Sequence, residues 1–376
     1  MINRRIIRGK VLQQVFAYKM CEGANTELAQ EKIIENFIPD LNSIEYQDIK
    51  KLEGFSKFTL IGFEEYLKTN IAPNDAATSV EITACLNKTI TFFKQSNKAD
   101  QQRILKSIVE DAEKLYDYYL LILRLLIEVA IKLAEVKKVG KLANGNKIVS
   151  QLQNHVELNQ ELIKRKLSWA DDQDVLGALT LQAFEDEEVK TYLKQTESDF
   201  EEDRKVVLYL IKTIFFKNPR FTDYFDGLNY SWDDDKASVK DMVVSTIKDI
   251  QDEQPFSLAT VSKNWDDDRE FMKQLYTQTI ENDRYFSELI IPKLQNWDIS
   301  RLTSTDTIIM KMCLGEMINF HGIPVKVSIN EYIELSKRFS TPKSSTLING
   351  VLDNISQELQ KSGTIKKSGR GLIDNK

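Results

Sequence analysis

Cysteine, histidine, proline and glycine are all scarce in this chain of 376 residues, and each shortage removes a class of answer. The three cysteines, Cys21, Cys85 and Cys313, stand far apart and without metal-ligand spacing. That argues against a disulfide framework and fits a reducing compartment. The two histidines, His155 and His321, lie in no Ser/Asp or Cys context. There is no glycine-rich phosphate loop, no nucleophile elbow and no HExxH motif, so the sequence offers no catalytic residue, cofactor site or metal site. Seven prolines and 14 glycines, against abundant Leu, Ile, Lys, Glu and Gln, predict a largely helical protein. The most apolar stretch, 118–136, carries Arg124, Glu128 and Lys132 every four residues. It therefore reads as a core helix with one polar stripe and not as a membrane span. No apolar segment follows Met1-Ile2-Asn3-Arg4-Arg5, so no signal peptide is expected and the reading is cytoplasmic, with no membrane partner.

What is present is a chain of helical patterns with an uneven charge. The net charge of -6 argues against indiscriminate wrapping of nucleic acid. Yet residues 1–20 hold Arg4, Arg5, Arg8, Lys10 and Lys19 with no acid, whereas 185–203 is dense in carboxylates. Apolar spacing predicts a helix over 3–21, with Ile7, Val11, Val15 and Tyr18 on one face, then a break at Gly23-Ala24-Asn25 and a short helix to about residue 36. Residues 37–74 are ambiguous. Helices are predicted over 75–95 and 100–138, a loop over 140–146, and helices near 147–167, 173–195 and 198–217, the last ended by Asn218-Pro219. Trp232 and Trp265 are each followed by three aspartates. Capping of two helix starts, an internal duplication and an acidic metal site all fit that pattern. Thr303 and Asp306 form a capping box for a helix over 304–320 that is apolar on several faces and so central. Further helices follow over 327–338 and from Ser344 or Ser345, and the basic tail from 363 reads as disordered.

Arg4, Arg5 and Arg8 crowd the first two turns of the N-terminal helix, the end where the dipole is positive. Each misplaced cation costs roughly 0.3–1 kcal/mol at an exposed site, so an anion there would relieve dipole and repulsion together. A solvated basic face is the plainer alternative. Arginine in place of lysine favours bidentate contact with phosphate.

Near the C-terminus runs Pro324-Val325-Lys326-Val327-Ser328-Ile329-Asn330-Glu331-Tyr332-Ile333-Glu334-Leu335-Ser336-Lys337-Arg338-Phe339, followed after a polar linker by Ile348-Asn349-Gly350-Val351-Leu352-Asp353. These blocks resemble the C-terminal half of the NusB family of transcription antitermination factors. Asn296-Trp297, Arg301-Leu302-Thr303 and Asp306 resemble the family's preceding segment, and Arg4-Arg5-Ile6-Ile7-Arg8 its arginine-rich first helix. The resemblance covers residues 1–20 and about 265–360. It implies an all-α NusB-like helical bundle core with a long helical insertion. The implied organisation is an N-terminal helix over 1–24, an insertion over 25–254, a C-terminal bundle over 255–362 and a tail over 363–376. The implied activity is antitermination, non-enzymatic, through binding of boxA-type single-stranded RNA together with ribosomal protein NusE in the RNA polymerase antitermination complex.

Carried over residue by residue, the RNA contacts are Arg4, Arg5 and Arg8 on the first helix and Phe339, Lys343, Ser344 and Thr346 at the end of the C-terminal block. Phe339 either stacks on a base or fills the core. Gly9 replaces the family's usual acid and weakens the helix by about 1 kcal/mol relative to Ala. Asn330, Glu331, Asn349 and Gly350 read as structural, with Gly350 allowing close helix packing. Two other readings remain: a helical scaffold that keeps the fold without RNA binding, and an RNA-modifying enzyme whose catalytic part lies on a separate chain.

Overall fold

The computed structural model describes residues 4–40, 47–73, 79–138, 140–294 and 302–375, and the secondary structure in them is helical, without strands. Fifteen α-helices follow one another along the described chain. α1 (Arg4–Asn36), α2 (Ile49–Thr69) and α3 (Val80–Lys137) are the long ones. Shorter helices follow: α4 (Lys147–Gln153), α5 (Val156–Arg165), α6 (Gln173–Glu185), α7 (Glu187–Lys194), α8 (Phe200–Tyr209), α9 (Pro219–Leu228) and α10 (Trp232–Asp249). The C-terminal part holds α11 (Trp265–Glu281), α12 (Asp283–Ile290), α13 (Ser304–Asn319), α14 (Val325–Phe339) and α15 (Ser344–Lys361). Asn296, Trp297 and Arg301 of the expected family segment lie outside the described residues.

The chain divides into two compact units, residues 1–4 with 110–268 and residues 5–109 with 269–376. The first is called here the middle unit and the second the terminal unit. The expected boundary at 24/25 falls inside α1, and residues 25–109 share a unit with the C-terminal helices. The break expected at Gly23-Ala24-Asn25 is absent because Asn25 is buried and its Nδ2 donates to Asn97 Oδ1 and Asp100 Oδ2 at 2.8 and 2.9 Å. Tertiary hydrogen bonds there override a weak local propensity.

In the terminal unit, Ile7, Val11, Leu12, Val15 and Tyr18 are buried on α1, as the spacing predicts. Farther along, Ala29, Ile33 and Phe37 meet Phe63 and Tyr66 of α2 and Leu86, Ile90 and Phe93 of α3. This settles the described part of the ambiguous 37–74 stretch: α2 is capped by Asp48, whose side chain accepts from Lys51 N, and ends at Asn70 with φ 57°. α13 opens with the capping box read from the sequence, Asp306 N donating to Thr303 Oγ1 and Thr303 N to Asp306 Oδ2, each at 3.1 Å. It is central, since every residue from Ile308 to Met317 is buried. The tail read as disordered instead packs: Ile365 is buried, Lys367 Nζ donates to Phe320 O at 3.0 Å, and Ser368 N to His321 O at 3.0 Å. Gly371 permits the approach, because a Cβ there would overlap the His321 carbonyl.

In the middle unit, helices expected as single pieces are broken by capping side chains. His155 accepts from Leu158 N to start α5, and Asp186 accepts from Glu188 N and Val189 N to start α7. Asn218 caps α9 with Pro219 at its first position. The loop expected over 140–146 contains a π-helical turn, Lys141–Gly145. The core is aromatic: Phe225 stacks on Trp232 at 4.4 Å between ring centroids, and Trp169 Nε1 donates to Leu121 O at 2.9 Å. Arg124, Glu128 and Lys132 are all partly buried, and Lys132 Nζ reaches Gln173 Oε1 at 2.7 Å. No helix among the described residues is long and apolar enough to cross a membrane.

Candidate nucleic-acid interface

α14 follows Pro324 and buries Val325, Ser328, Ile329, Tyr332, Leu335 and Ser336, a stripe spaced by three and four. Ser328 and Tyr332 stand one turn apart on that stripe and both donate to Glu316 of α13, at 2.7 and 3.2 Å. Glu316 is fully buried, and Arg8 of α1 completes its shell through Nε and Nη2 at 2.7 and 2.8 Å. The Arg8 guanidinium also lies 5.5 Å from the Phe271 ring centroid and 5.9 Å from that of Tyr332. Burial opposes its charge, but the hydrogen bond and charge of Glu316 outweigh burial and hold its pKa above the ordinary value. Burial, with the Glu316 charge added, pushes the Tyr332 phenol well up. Three helices are thus tied at one buried ion pair.

The expectation for Arg8 needs correction. Its side chain is 4 % exposed and committed to Glu316, so it presents no face to a phosphate. Arg5 is different. It is half exposed, and its Nε and Nη2 grip Glu331 Oε2 and Oε1 at 2.9 and 2.8 Å. That bidentate bond raises the Arg5 pKa and lowers that of Glu331. Arg4, also partly exposed, places Nε 3.2 Å from Asp268 Oδ1. The anion that the crowded arginines call for is therefore supplied three times over by the chain's own carboxylates.

One residue beyond Arg8, Gly9 is buried against α14: a Cβ there would sit 3.6 Å from the Phe339 ring and 3.8 Å from Leu335. Phe339 is partly buried, with one side of its ring leaning on α1 and Arg338 5.4 Å from its centroid. After it the chain turns around Asp306. Ser340 Oγ and Ser344 Oγ donate to its two carboxylate oxygens at 2.6 and 3.0 Å, and Thr341 Oγ1 lies 2.7 Å from Ser344 Oγ. Ser344 is buried in this network, which corrects its assignment as a phosphate contact. Lys343 and Thr346 are exposed on either side of it.

The structure thus ties Arg5 to Glu331 of α14, seats Phe339 on Gly9 of α1 and folds the 340–346 turn around Asp306, and it makes Arg8 and Ser344 supports. Sequence reasoning gave Glu316 no role beyond a match to the family's segment. Its local signal was an acid within the apolar run Met312–Met317 of α13. Glu331, read as structural, pairs with a side chain 326 positions away. Gly350, expected in a close helix contact, is exposed, as are Asn330 and Asn349. Of the aspartate repeats, Asp268 holds Arg4 and Asp235 accepts from Asn229 Nδ2 at 2.8 Å. Among the described residues no cluster of His, Cys, Asp or Glu has the arrangement of a metal site.

Comparison with known proteins agrees with the C-terminal motifs. The NusB family profile matches residues 228–357. The transcription antitermination protein NusB of Salinibacter ruber is 43% identical over 86 residues, covering 23% of this chain and 54% of that protein. That of Chloroherpeton thalassium is 41% identical over 95 residues, covering 25% and 45%. The Natranaerobius thermophilus protein of the same name is 46% identical over 68 residues, covering 18% and 49%. The chain spans about half the length of the curated relatives it matches.

Proposed function

We propose, on the premise that residues 228–357 form a NusB-family domain, that this protein is an RNA-binding transcription antitermination factor. Its ligand in this reading is boxA-type single-stranded RNA, bound together with ribosomal protein NusE within the RNA polymerase antitermination complex. The observation that carries the reading is the seating of Phe339 against Gly9. It packs the end of α14, which leads into the exposed Lys343 and Thr346, onto the helix that carries Arg5, more than 300 positions away in sequence.

Arg5 engages phosphates through its fork of donors. Lys343 adds a point charge and Thr346 a hydroxyl, while the open part of the Phe339 ring offers a stacking platform for an unpaired base. Arg8 and Ser344 act behind them, fixing α1 to α13 and the turn to Asp306. The function so described is binding, and no step of it requires catalysis.

Fluorescence anisotropy of a labelled boxA oligonucleotide, with and without NusE, tests it. The double variant Arg5→Ala/Lys343→Ala is expected to bind more weakly, with a salt slope reduced by about 0.7 for each phosphate that is no longer neutralised. Equal binding by wild type and variant at every salt concentration would defeat the proposal. It would favour the scaffold reading, which has its own support in the internal carboxylate that each arginine already holds.

A further inference from the structure

We propose that Glu331 sets the RNA affinity of this surface: it holds Arg5 as a stand-in for phosphate and surrenders it when RNA arrives. Arg8 keeps Glu331 compensated after the exchange. The inference rests on the RNA-binding reading above and adds the residue that governs it.

The geometry separates two arginines that look alike in sequence. Arg8 is locked. Its Nε and Nη2 are spent on Glu316, whose oxygens also accept from Ser328 and Tyr332, so withdrawing it would strand a fully buried carboxylate. Arg5 makes the same two-pronged contact with Glu331, but its side chain is 54% exposed. Water reaches the Arg5 side of this pair and not the Arg8–Glu316 pair, so Arg5 is the arginine that can be transferred. A phosphate offers the same pair of oxygens to the same fork of donors.

The exchange would be costly if it left Glu331 alone. It does not. The third guanidinium nitrogen of Arg8, Nη1, sits 3.7 Å from Glu331 Oε2. Glu331 is thus shared by an exposed and a buried arginine, and it keeps a cationic neighbour whichever way Arg5 points. While Arg5 is held, its charge is cancelled, and an approaching phosphate meets both a competitor for the fork and a carboxylate that repels it. Glutamine at 331 removes the repulsion and most of the competition, and its side-chain oxygen can still face Arg8.

The test is an RNA anisotropy titration of the full chain as wild type, Glu331→Gln, Arg5→Ala and the double variant, with urea midpoints confirming that each is folded. Glu331→Gln is expected to bind roughly two- to five-fold tighter at moderate salt, the factor that releasing a surface ion pair yields. The gain should vanish in the Arg5→Ala background, because it acts through Arg5. Weaker or unchanged binding by Glu331→Gln overturns the inference and makes Glu331 a holder of Arg5 in its RNA-binding pose. An equal gain with and without Arg5 overturns it in favour of general charge repulsion. If wild type and Glu331→Gln both fail to bind, the RNA reading itself falls and the inference with it. Glu331→Ala serves as a second variant should the glutamine protein prove unstable.

Discussion

In the middle unit the buried carboxylate Asp203 is met by neutral donors: the Tyr192 and Ser198 hydroxyls at 2.8 and 2.6 Å and Lys147 N–H at 2.8 Å. In the terminal unit the buried carboxylate Glu316 is met by an arginine as well as two hydroxyls. Arg8, Lys10 and Lys311 are the buried cations among the described residues, and all three belong to the terminal unit. The two units also differ outside. Lys and Arg number 22 against 32 Asp and Glu in the middle unit, a net -10, and 29 against 25 in the terminal unit, a net +4. Neutral donors satisfy a carboxylate's oxygens but leave its charge unbalanced. A buried guanidinium fixes the register of the helices that supply its partners, because any shift strands a charge. The unit with the net positive charge is the one that also buries cations in its interior.

The sharpest way to break this comparison is to remove the buried cation. Arg8→Met leaves Glu316 without its cation in the terminal core and is expected to cost about 3–5 kcal/mol in urea denaturation. The matched change in the middle unit, Asp203→Asn, alters hydrogen bonding without stranding a charge and should cost less, about 1–3 kcal/mol. Adding Glu316→Gln to Arg8→Met is expected to restore part of the loss. If Arg8→Met costs no more than Asp203→Asn, burial of charge is not what distinguishes the units.

A smaller effect is expected at Asp306. Asp306→Ala removes half a capping box and leaves the buried Ser344 hydroxyl without its carboxylate acceptor. The cap alone is worth about 1 kcal/mol and the stranded hydroxyl a similar amount. Amide hydrogen exchange should quicken over 340–346 while α1 keeps its protection. Uniform quickening would show that Asp306 holds the fold as a whole, not the turn.

How much of this was visible in the sequence depends on whether a partner is near in the chain. The Thr303–Asp306 cap, the buried face of Ile7, Val11, Val15 and Tyr18 and the central place of α13 were all legible, because helical period and capping are local. The partners of Arg4, Arg5 and Arg8 were not. They lie between 264 and 326 positions away, and only folding decides which carboxylate meets which arginine. The same holds for the tail, where Ile365 and Lys367 look solvent-bound until the α13 end offers them a site. Chemistry by residue type was readable, since arginines at the positive end of a helix demand an anion. Whether that anion is RNA or glutamate was not.

Gly9 gives a milder test in the same helix. A Cβ at 3.6 Å from Phe339 is an ordinary contact, so alanine fits without strain. Gly9→Ala is expected to stabilise the protein by about 0.5–1 kcal/mol through helix propensity, raising the urea midpoint. RNA affinity should be unchanged, because Arg5 and Phe339 keep their places. A loss of stability would mean that α1 and α14 need an approach closer than a methyl group allows.

The smallest effect is the acid response of Glu331. The Arg5 hydrogen bond lowers its pKa, burial opposes, and the Arg8 and Arg5 charges add to the lowering from the ordinary 4.5. A carboxyl whose folded pKa lies below its unfolded one binds fewer protons in the folded state, so it stabilises the fold fully above pH 4.5. That contribution is lost as pH falls through the folded value. Urea midpoints of wild type and Glu331→Gln measured from pH 7 downward are therefore expected to differ by a constant amount until about pH 5 and then to converge. Because the pair is surface-exposed on the Arg5 side, the constant gap should stay under about 1 kcal/mol and shrink in salt. A gap that persists unchanged into acid would show that Glu331 is held by something other than its charge. The transferable character of Arg5, and with it the contrast between one exchangeable and one locked arginine, would then have to be abandoned.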